Sequence, residues 1–279
     1  MKTQDTGHNS GAGYDASCVP LDYMTIIDTH AHLDHVPEIE AALERARQVN
    51  VSDIVAVSTD LKAIKRNLEL KKSCASPRIH VALGIHPGEI KLDELEETFA
   101  FIRAYIREAV AIGETGLDYW YKWARKDEAE QKKQRDVFEK HLELAKEFDL
   151  PIVIHSRGAE EDCLKMTKAA EIKRALFHWY SGRLDVLEKI LAQGYYVSTS
   201  PSVAYSSSSQ GAMTNAPLEQ TLIETDSPVF FRTNAEEGFQ SEPKDVWKTL
   251  KAYAALKNID EQKALEVLNQ NARNFFSIT

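Results

Sequence analysis

The feature that most constrains the fold is a regular alternation of short apolar runs with charged, amphipathic segments. From Tyr23 onward there are eight apolar runs, namely MTIID, DIVAV, IHVALGI, AVAIGE, LPIVIH, RALFH, GYYVS and TLIET. Runs of this length, rich in Ile, Val and Leu, are typical of buried strands. The intervening segments, such as VPEIEAALERARQV, ELEETFAFIRAYIREA and DVFEKHLELAKEFD, carry apolar residues at helical spacing.

Eight strand–helix units in a chain of 279 residues predict an α/β fold, a single (β/α)8 TIM-type barrel. A doubly wound open sheet is the main alternative. The segment NIDEQKALEVLNQNARNFF predicts an additional C-terminal helix that packs on the outside. Residues 1–22 are polar, rich in Gly, Ser and Asp, and have no apolar signal core, so they predict a flexible tail before a barrel domain over residues 23–279.

Composition limits the partners and the compartment. The chain has 34 basic and 43 acidic residues, a net charge of −9, which argues against general attraction to nucleic acid or anionic membranes. A local phosphate site remains possible, because a bound metal adds positive charge. The three cysteines are widely spaced without a Cys-x-x-Cys pair, which is typical of reduced thiols in the cytoplasm. No apolar stretch is long enough to span a bilayer, so we expect no membrane association.

Histidines and carboxylates stand at the carboxyl ends of the predicted strands. They are His30 and His32 after the first strand, His86 after the third, Glu114 after the fourth, His155 after the fifth, His178 after the sixth and Asp226 after the eighth. In a barrel these ends share one mouth, where the active site lies. Asp28, His30 and His32 alternate along one strand and therefore face the same side. An isolated His-x-His pair is more often structural, but together with Glu114, His155, His178 and Asp226 it favours a metal site.

Imidazoles and carboxylates without thiolates suit divalent ions such as Zn, Mn, Fe or Co. Glu114, in the middle of the strand order, is the natural bridge between two ions. His30, His32 and Asp226 would complete one shell, and His155 and His178 the other. Two ions on the order of 3.5–4 Å apart stabilise the attacking and leaving oxygens of an in-line phosphoryl displacement. A metal-activated water would be the nucleophile, Asp226 would take its proton, and Glu224 would either orient a histidine or take part in proton transfer.

Six motifs occur in order between Thr25 and the carboxyl end: DTHAHLD, GIHPGE, GETGLDY, PIVIHSR, FHWYSG and ETDSP. Together they resemble the TatD-type deoxyribonuclease family of metal-dependent hydrolases on a (β/α)8 barrel. The resemblance implies hydrolysis of DNA phosphodiesters with two divalent ions (Mg, Mn or Zn), typically as a 3′–5′ exonuclease on single-stranded ends. It implies no obligate protein partner. It implies metal binding at His30, His32, Glu114, His155, His178 and Asp226, and a contact between His86 and the scissile phosphate.

The chain departs from the family pattern at three places. Trp179 and Tyr180 follow the FH pair where the family usually has Cys-Phe. The connection SPSVAYSSSSQGAMTNAP is unusually rich in serine and is expected to be a long loop. The segment QSEP, Gln240 to Pro243, stands where the family commonly has RNEP, which places an outer substrate or stabilising contact in question. None of these departures touches the predicted metal ligands.

Several residues have two interpretations from sequence alone. His86 is either a phosphate contact or a hydrogen-bonded loop residue. Arg157 either donates to a phosphate oxygen or pairs with Glu160 or Glu161. Asp118 either orients a metal ligand or caps a turn.

The segment YWYKWARKDEAEQKKQR, Tyr119 to Arg135, mixes aromatic and basic residues. It is either a binding surface for single-stranded DNA, where bases stack on the rings and the basic groups follow the backbone, or a charged helix face diluted by acidic neighbours. The basic groups are Lys122, Arg125, Lys126, Lys132, Lys133 and Arg135. Trp120, Tyr121 and Trp123 could equally cover the core.

Two other classes of function compete with a deoxyribonuclease. One is a different binuclear hydrolase on the same scaffold, such as a cyclic-amide amidohydrolase or an aminoacyl-tRNA deacylase. Many amidohydrolases bridge their metals with a modified lysine, so Glu114 at this position favours a phosphodiesterase. The other class is a catalytically inactive binding protein, which the complete ligand set argues against.

Overall fold

The computed structural model describes residues 24–232 and 238–279. Its main sheet has eight parallel strands paired in chain order. The strands are β1 Ile26–Ala31, β2 Val51–Val57, β3 Arg78–Leu83, β4 Ala109–Gly116, β5 Ile152–His155, β6 Ala175–Phe177, β7 Tyr196–Thr199 and β8 Thr221–Ile223. Each overlaps one of the predicted apolar runs.

The residues after β8 return to β1 at the carboxyl end of the barrel. The N–H of His32 donates to the carbonyl of Ser227 over 2.8 Å, and the N–H of Asp226 donates to the carbonyl of His30 over 3.0 Å. Because the strand order is sequential and its ends meet, the sheet is a nearly closed barrel. The (β/α)8 prediction is confirmed, and the open doubly wound sheet is excluded.

Helices connect the strands and cover the barrel. They are α1 Ile39–Gln48, α2 Leu61–Ser73, α3 Leu95–Tyr105, α4 Glu128–Phe148, α5 Glu160–Ala169, α6 Leu184–Leu191, α7 Ser207–Asn215, α8 Val246–Lys257 and α9 Glu261–Phe276. A short antiparallel hairpin, β9 Phe230–Phe231 with β10 Phe239–Gln240, follows β8. One helix follows each strand, so α9 is the additional C-terminal helix that the sequence predicted. The tail predicted over residues 1–22 lies outside the described residues.

The core has two layers because strand side chains alternate between the barrel interior and the helices. Ile27, Val55 and Leu222 belong to the inner layer, and Phe275 and Phe276 of α9 join them. The first part of α9 packs with the outer layer. The expectation that α9 packs on the outside is therefore only partly correct, since its aromatic end extends the inner layer.

The serine-rich connection is not a simple loop. It forms a 3-10 turn, Pro201–Ala204, followed by α7. The hydroxyl of Ser206 accepts a hydrogen bond from the N–H of Ser209 and caps this helix, while Ala212 and Met213 are buried. The loop prediction was wrong because serine, a weak helix former inside helices, is favoured at the first turn.

No helix within residues 24–232 and 238–279 combines the length and the apolar character needed to cross a bilayer. Within the same ranges Cys74 and Cys163 are free thiols.

Candidate metal centre

The end of β1 supplies His30 and His32 to the mouth of the barrel, and Asp28 precedes them on the same strand. His30 is fully buried and His32 is partly buried. Asp28 lies deeper, where its carboxylate accepts hydrogen bonds from the N–H of Thr225 (3.0 Å) and from its hydroxyl (2.6 Å). Burial raises the pKa of Asp28 well above its ordinary value. Asp28 therefore connects β1 to the segment that carries Asp226 and lies apart from the group of histidines.

Glu114, at the end of β4, lies in the centre of the histidines. Its Oε2 is 3.3 Å from Nε2 of both His30 and His32. Its Oε1 is 2.8 Å from Nε2 of His178 and 2.9 Å from Nδ1 of His155. Burial opposes ionisation, but the surrounding imidazoles, first among them His178, hold the pKa of Glu114 well below its ordinary value. Each carboxylate oxygen thus faces a different pair of histidines.

Asp226 faces the β1 pair from the opposite side. Its Oδ1 is 3.1 Å from Nε2 of His32 and 3.6 Å from Nε2 of His30. Burial raises the pKa of Asp226, but the neighbouring imidazole of His32 outweighs it and keeps the pKa below its ordinary value. Burial lowers the pKa of His32, but Asp226 and Glu114 raise it to about 9. The negative potential around these imidazoles is suited to a cation.

Several buried polar atoms in this group have no hydrogen-bond partner among the described residues. They are both ring nitrogens of His30, Nδ1 of His32, Oε2 of Glu114 and Oδ1 of Asp226. Leaving such atoms unpaired costs free energy, and a metal ion would satisfy several of them at once. Donor atoms lie within 4.8 Å of one another in three overlapping groups: His30, Glu114 and His178; His30, His32 and Asp226; and His86, Glu114 and His155. This set of nitrogen and oxygen donors fits divalent metal ions.

His86 differs from the other imidazoles of the site in the partner of its Nδ1 atom. Its Nδ1 accepts a hydrogen bond from the N–H of Gly88 over 2.9 Å. Burial lowers the pKa of His86 to about 3, so the ring is neutral and its proton is on Nε2. Nε2 lies 3.7 Å from Oε1 of Glu114. The N–H of His86 therefore points into the site as a hydrogen-bond donor, and this disfavours His86 as a metal ligand. The hydrogen bond within its loop fixes this orientation.

Asp118, at the end of the GETGLD motif, combines the two roles that the sequence left open. Its Oδ2 is 2.9 Å from Nε2 of His155 and accepts a hydrogen bond of 2.9 Å from Nε of Arg157. Its Oδ1 accepts the N–H groups of Trp120 (2.8 Å) and Tyr121 (3.3 Å), which caps the turn after β4. Burial raises the pKa of Asp118, but His155 and Arg157 keep it below its ordinary value. One carboxylate thus contacts a candidate metal ligand, an arginine and the backbone of a loop.

Arg157 lies at the edge of the site with a side chain that is about half exposed. Its guanidinium pairs with Asp118 and lies over the ring of Tyr121, 5.3 Å from the centroid. Glu160 and Glu161 bond to other groups. The alternative in which Arg157 pairs with one of these glutamates was therefore wrong, and the arginine borders the mouth of the barrel.

Glu224 is fully buried behind His178. Its Oε1 is 3.3 Å from Nδ1 of His178, and its Oε2 accepts a 2.5 Å hydrogen bond from Ser198. This geometry favours the orienting role over proton transfer. Sequence analysis missed Ser198, because a serine inside a strand carries no distinctive pattern.

The mouth of the barrel encloses a cavity of about 600 Å³ that reaches Glu114 and Asp226. This size is typical of sites for small molecules. Trp179 and Ser202 line this cavity, and the indole N–H of Trp179 donates to the hydroxyl of Ser202 over 2.8 Å. Arg157 also lines it. The departure from the family pattern at Trp179 therefore contributes to the wall of the cavity.

The other departures are accommodated within the fold. Tyr180 is buried and donates from its hydroxyl to the carbonyl of Arg183 over 2.7 Å. In the QSEP segment, Glu242 forms two hydrogen bonds of 2.8 Å with Arg45 of α1. A stabilising ion pair is therefore present at this segment.

Comparison with known proteins places this geometry in a family. Residues 27–277 match the family model described as TatD related DNase. The uncharacterized metal-dependent hydrolase YabD of Bacillus subtilis is 32% identical over 262 residues, which cover 91% of this chain and 99% of YabD. Deoxyribonuclease TATDN3 of Homo sapiens is 28% identical over 90% of this chain and 94% of its own length.

A solved structure agrees with these relatives. The crystal structure of YJJV, a TatD homolog from Escherichia coli, superposes with a TM-score of 0.81 and 26% identity, covering 91% of this chain and 98% of that chain. The resemblance inferred from the six motifs is confirmed. This chain belongs to the TatD-related DNase family and is a metal-dependent hydrolase.

Proposed function

We propose that this protein hydrolyses DNA phosphodiester bonds as a 3′–5′ exodeoxyribonuclease that acts on single-stranded ends. The observation that carries the proposal is the position of Glu114, whose two oxygens face two separate pairs of histidines. A carboxylate in this position suits a bridge between two divalent ions, the arrangement used for in-line phosphoryl displacement. The name of human TATDN3 as a deoxyribonuclease supports DNA as the substrate.

The residues that would hold the two ions are those with converging donor atoms. His30, His32 and Asp226 would hold one ion, His155 and His178 the other, and Glu114 both. When bound, the ions supply Lewis acidity and lower the pKa of water. The ligand types favour Zn or Mn, and resemblance to the family favours Mg or Mn during turnover.

The protein's own groups supply the remaining chemistry. Asp226 is ionised at neutral pH, since its pKa is lowered, and it can accept the proton of the attacking water. The Nε2–H of His86 donates to an oxygen of the scissile phosphate, where negative charge increases in the transition state. Arg157 borders the same cavity and provides a further donor for a phosphate oxygen.

Two buried carboxylates keep the ligands in position. Asp118 holds Nε2 of His155 so that Nδ1 faces Glu114. Glu224 holds Nδ1 of His178 so that Nε2 faces Glu114. Such carboxylate–histidine contacts set ring orientation and increase the basicity of the ligand.

A substrate panel tests the proposal. Purified protein is assayed with single-stranded DNA, duplex DNA, RNA, a dihydropyrimidine amide and an aminoacyl ester, each with and without divalent metal. We expect metal-dependent cleavage of DNA, with mononucleotides released from the 3′ end of a 5′-labelled strand. Preferential turnover of the amide or the ester would instead support another binuclear hydrolase. DNA cleavage that survives complete chelation, at near-zero metal content, would contradict the mechanism.

The proposal requires no protein partner. The free thiols of Cys74 and Cys163 favour a reducing compartment, and we propose the cytoplasm.

A further inference from the structure

Three aromatic side chains follow β4 at the mouth of the barrel. We call Trp120, Tyr121 and Trp123 the aromatic rim. The side chains of Trp120 and Trp123 are 62% and 42% exposed. A cation lies over each ring: Arg125 is 5.7 Å from the centroid of Trp120, Arg157 5.3 Å from that of Tyr121, and Lys133 5.5 Å from that of Trp123. Trp120 and Trp123 thus leave aromatic surface open to solvent at the mouth of the barrel.

The aromatic rim begins beside the candidate metal centre. The ring of Tyr121 lies edge-on to His86 with 6.5 Å between centroids, and it stacks on Trp123 with 5.0 Å between centroids and 14° between planes. The carboxylate of Asp118 accepts the N–H groups of Trp120 and Tyr121 while it contacts His155. The rings are thus positioned by the same group that orients a candidate ligand.

The exposure of the rim argues against a role in covering the core. Ala124, within the same segment, is completely buried and anchors it. Trp120 and Trp123 instead direct much of their surface to solvent. The two tryptophans therefore present surface for a ligand that approaches the cavity from outside.

The basic residues of this segment divide into two groups. Lys132, Lys133 and Arg135 pair with Asp136, Glu130 and Glu128. Lys122, Arg125 and Lys126 are exposed, and within residues 24–232 and 238–279 none of them has a carboxylate within ion-pair distance. In a chain of net charge −9, the part of the segment nearest the mouth thus carries an uncompensated positive charge. This charge is complementary to a polyanion.

We propose that the aromatic rim, with Lys122, Arg125 and Lys126, binds the unpaired nucleotides that adjoin the scissile phosphate. Bases of a single strand take the place of the cations that lie over Trp120 and Trp123, and Lys122, Arg125 and Lys126 contact the backbone phosphates. Bases within a duplex are already stacked on one another and cannot use the rings. The rim is therefore the element that selects single-stranded DNA, an inference that rests on the proposed DNA substrate.

Binding measurements test the rim directly. The probe is a fluorescent phosphorothioate oligothymidylate, which resists cleavage, added to the metal-loaded protein. The double variant W120A/W123A removes the stacking surface, and we expect its dissociation constant to rise on the order of tenfold or more. The control is F148A, which removes an exposed aromatic ring that also lies under an arginine, Arg103. Phe148 is at the end of α4, away from the mouth, so F148A should bind the probe as the wild type does.

The salt dependence separates charge from stacking. The triple variant K122Q/R125Q/K126Q should flatten the slope of log affinity against log salt by about 0.7 for each phosphate that the protein no longer neutralises. The control K72Q/K251Q/K263Q neutralises three exposed lysines remote from the mouth and should keep the wild-type slope. An unchanged slope in the first variant would overturn the assignment of these cations.

Kinetics distinguish failure of this inference from failure of the proposed function. The ratio of kcat/KM for an oligonucleotide to that for bis(p-nitrophenyl) phosphate should fall about tenfold in W120A/W123A, and the preference for single-stranded over duplex DNA should fall with it. A wild-type enzyme that cleaves neither substrate would overturn the proposed function. A wild-type enzyme that cleaves both, with W120A/W123A indistinguishable from F148A, would overturn the rim alone.

Discussion

The backbone N–H of Gly88 donates a hydrogen bond to Nδ1 of His86 over 2.9 Å. This bond leaves the imidazole proton on Nε2, the nitrogen that faces Glu114. A Cβ atom on Gly88 would lie 3.0 Å from Nδ1 of His86 and 2.7 Å from the hydroxyl of Tyr121, so a side chain would displace one of them. Gly88, two residues after His86, thus determines which nitrogen of His86 carries the proton.

If His86 is a donor and not a ligand, His86→Ala should slow hydrolysis of DNA on the order of a hundredfold while the bound metal remains. The physical reason is the loss of one hydrogen bond to the phosphate in the transition state. Steady-state rates together with elemental analysis of the purified variant measure both quantities. Loss of metal from His86→Ala would show that His86 is a ligand, as its distance from Glu114 and His155 would permit.

Glu114→Ala should lose both metal and activity, because it removes the only carboxylate that contacts both pairs of histidines among the described residues. Elemental analysis should find less metal per chain than in the wild type. Glu139→Ala, an exposed glutamate on α4, serves as the control. Full metal occupancy in Glu114→Ala would contradict the assignment of the bridge.

Removing metal should also lower the thermal stability of the wild-type protein. Without metal, buried carboxylate oxygens such as Oε2 of Glu114 and Oδ1 of Asp226 have no partner in the folded protein. A ligand at a hundred times its Kd stabilises the folded state by about 2.7 kcal/mol, so we expect a rise in Tm of several degrees on metal addition. Calorimetry with a chelator and then with excess metal measures this change. An identical Tm under both conditions would argue that these atoms do not bind an ion.

Asp118→Asn should lower kcat/KM for DNA by about tenfold to a hundredfold with little change in cooperative unfolding. The amide keeps an oxygen for the N–H of Trp120 but removes the charge that holds His155 and Arg157. Asp127→Asn is the matched control, since the carboxylate of Asp127 caps the first turn of α4. Equal activity of the two variants would remove Asp118 from the positioning role.

His141 should make the protein less stable in mild acid. Its Nδ1 faces the carbonyl of Val137 at 2.8 Å, its Nε2 accepts the N–H of Ile85 at 3.1 Å, and burial lowers its pKa to about 4. The unfolded chain has an ordinary pKa near 6.5, so between these values the unfolded state binds a proton that the folded state does not. The free energy of unfolding should therefore fall as the pH falls from about 6.5 towards 4, by about 2 kcal/mol at pH 5.

Urea denaturation at about pH 7.5 and about pH 5 tests this contribution. His141→Gln should be less stable than the wild type at the higher pH but should lose less stability at the lower one. Because the other histidines titrate in both proteins, the difference between the two pH dependences isolates His141. Parallel losses in the two proteins would contradict the assignment.

The sequence by itself determined the number and order of the strands. It also predicted that the polar residues of the candidate site lie at one end of the barrel. This was possible because the local periodicity of apolar residues reveals buried strands and amphipathic helices. In addition, the carboxyl ends of the parallel strands lie on the same side of a barrel. His30 and Asp226 are almost two hundred positions apart in the chain, yet strand order alone predicts that they lie close together. Their role as metal ligands remains a prediction.

Only the tertiary structure decided which partners these residues have. Arg157 pairs with Asp118 and not with the glutamates that follow it, and Gly88 selects the tautomer of His86. The serine-rich connection forms α7, and the aromatic end of α9 extends the inner layer of the barrel. These contacts depend on distances between atoms of different elements, to within a few tenths of an ångström, and local periodicity carries no information about such distances.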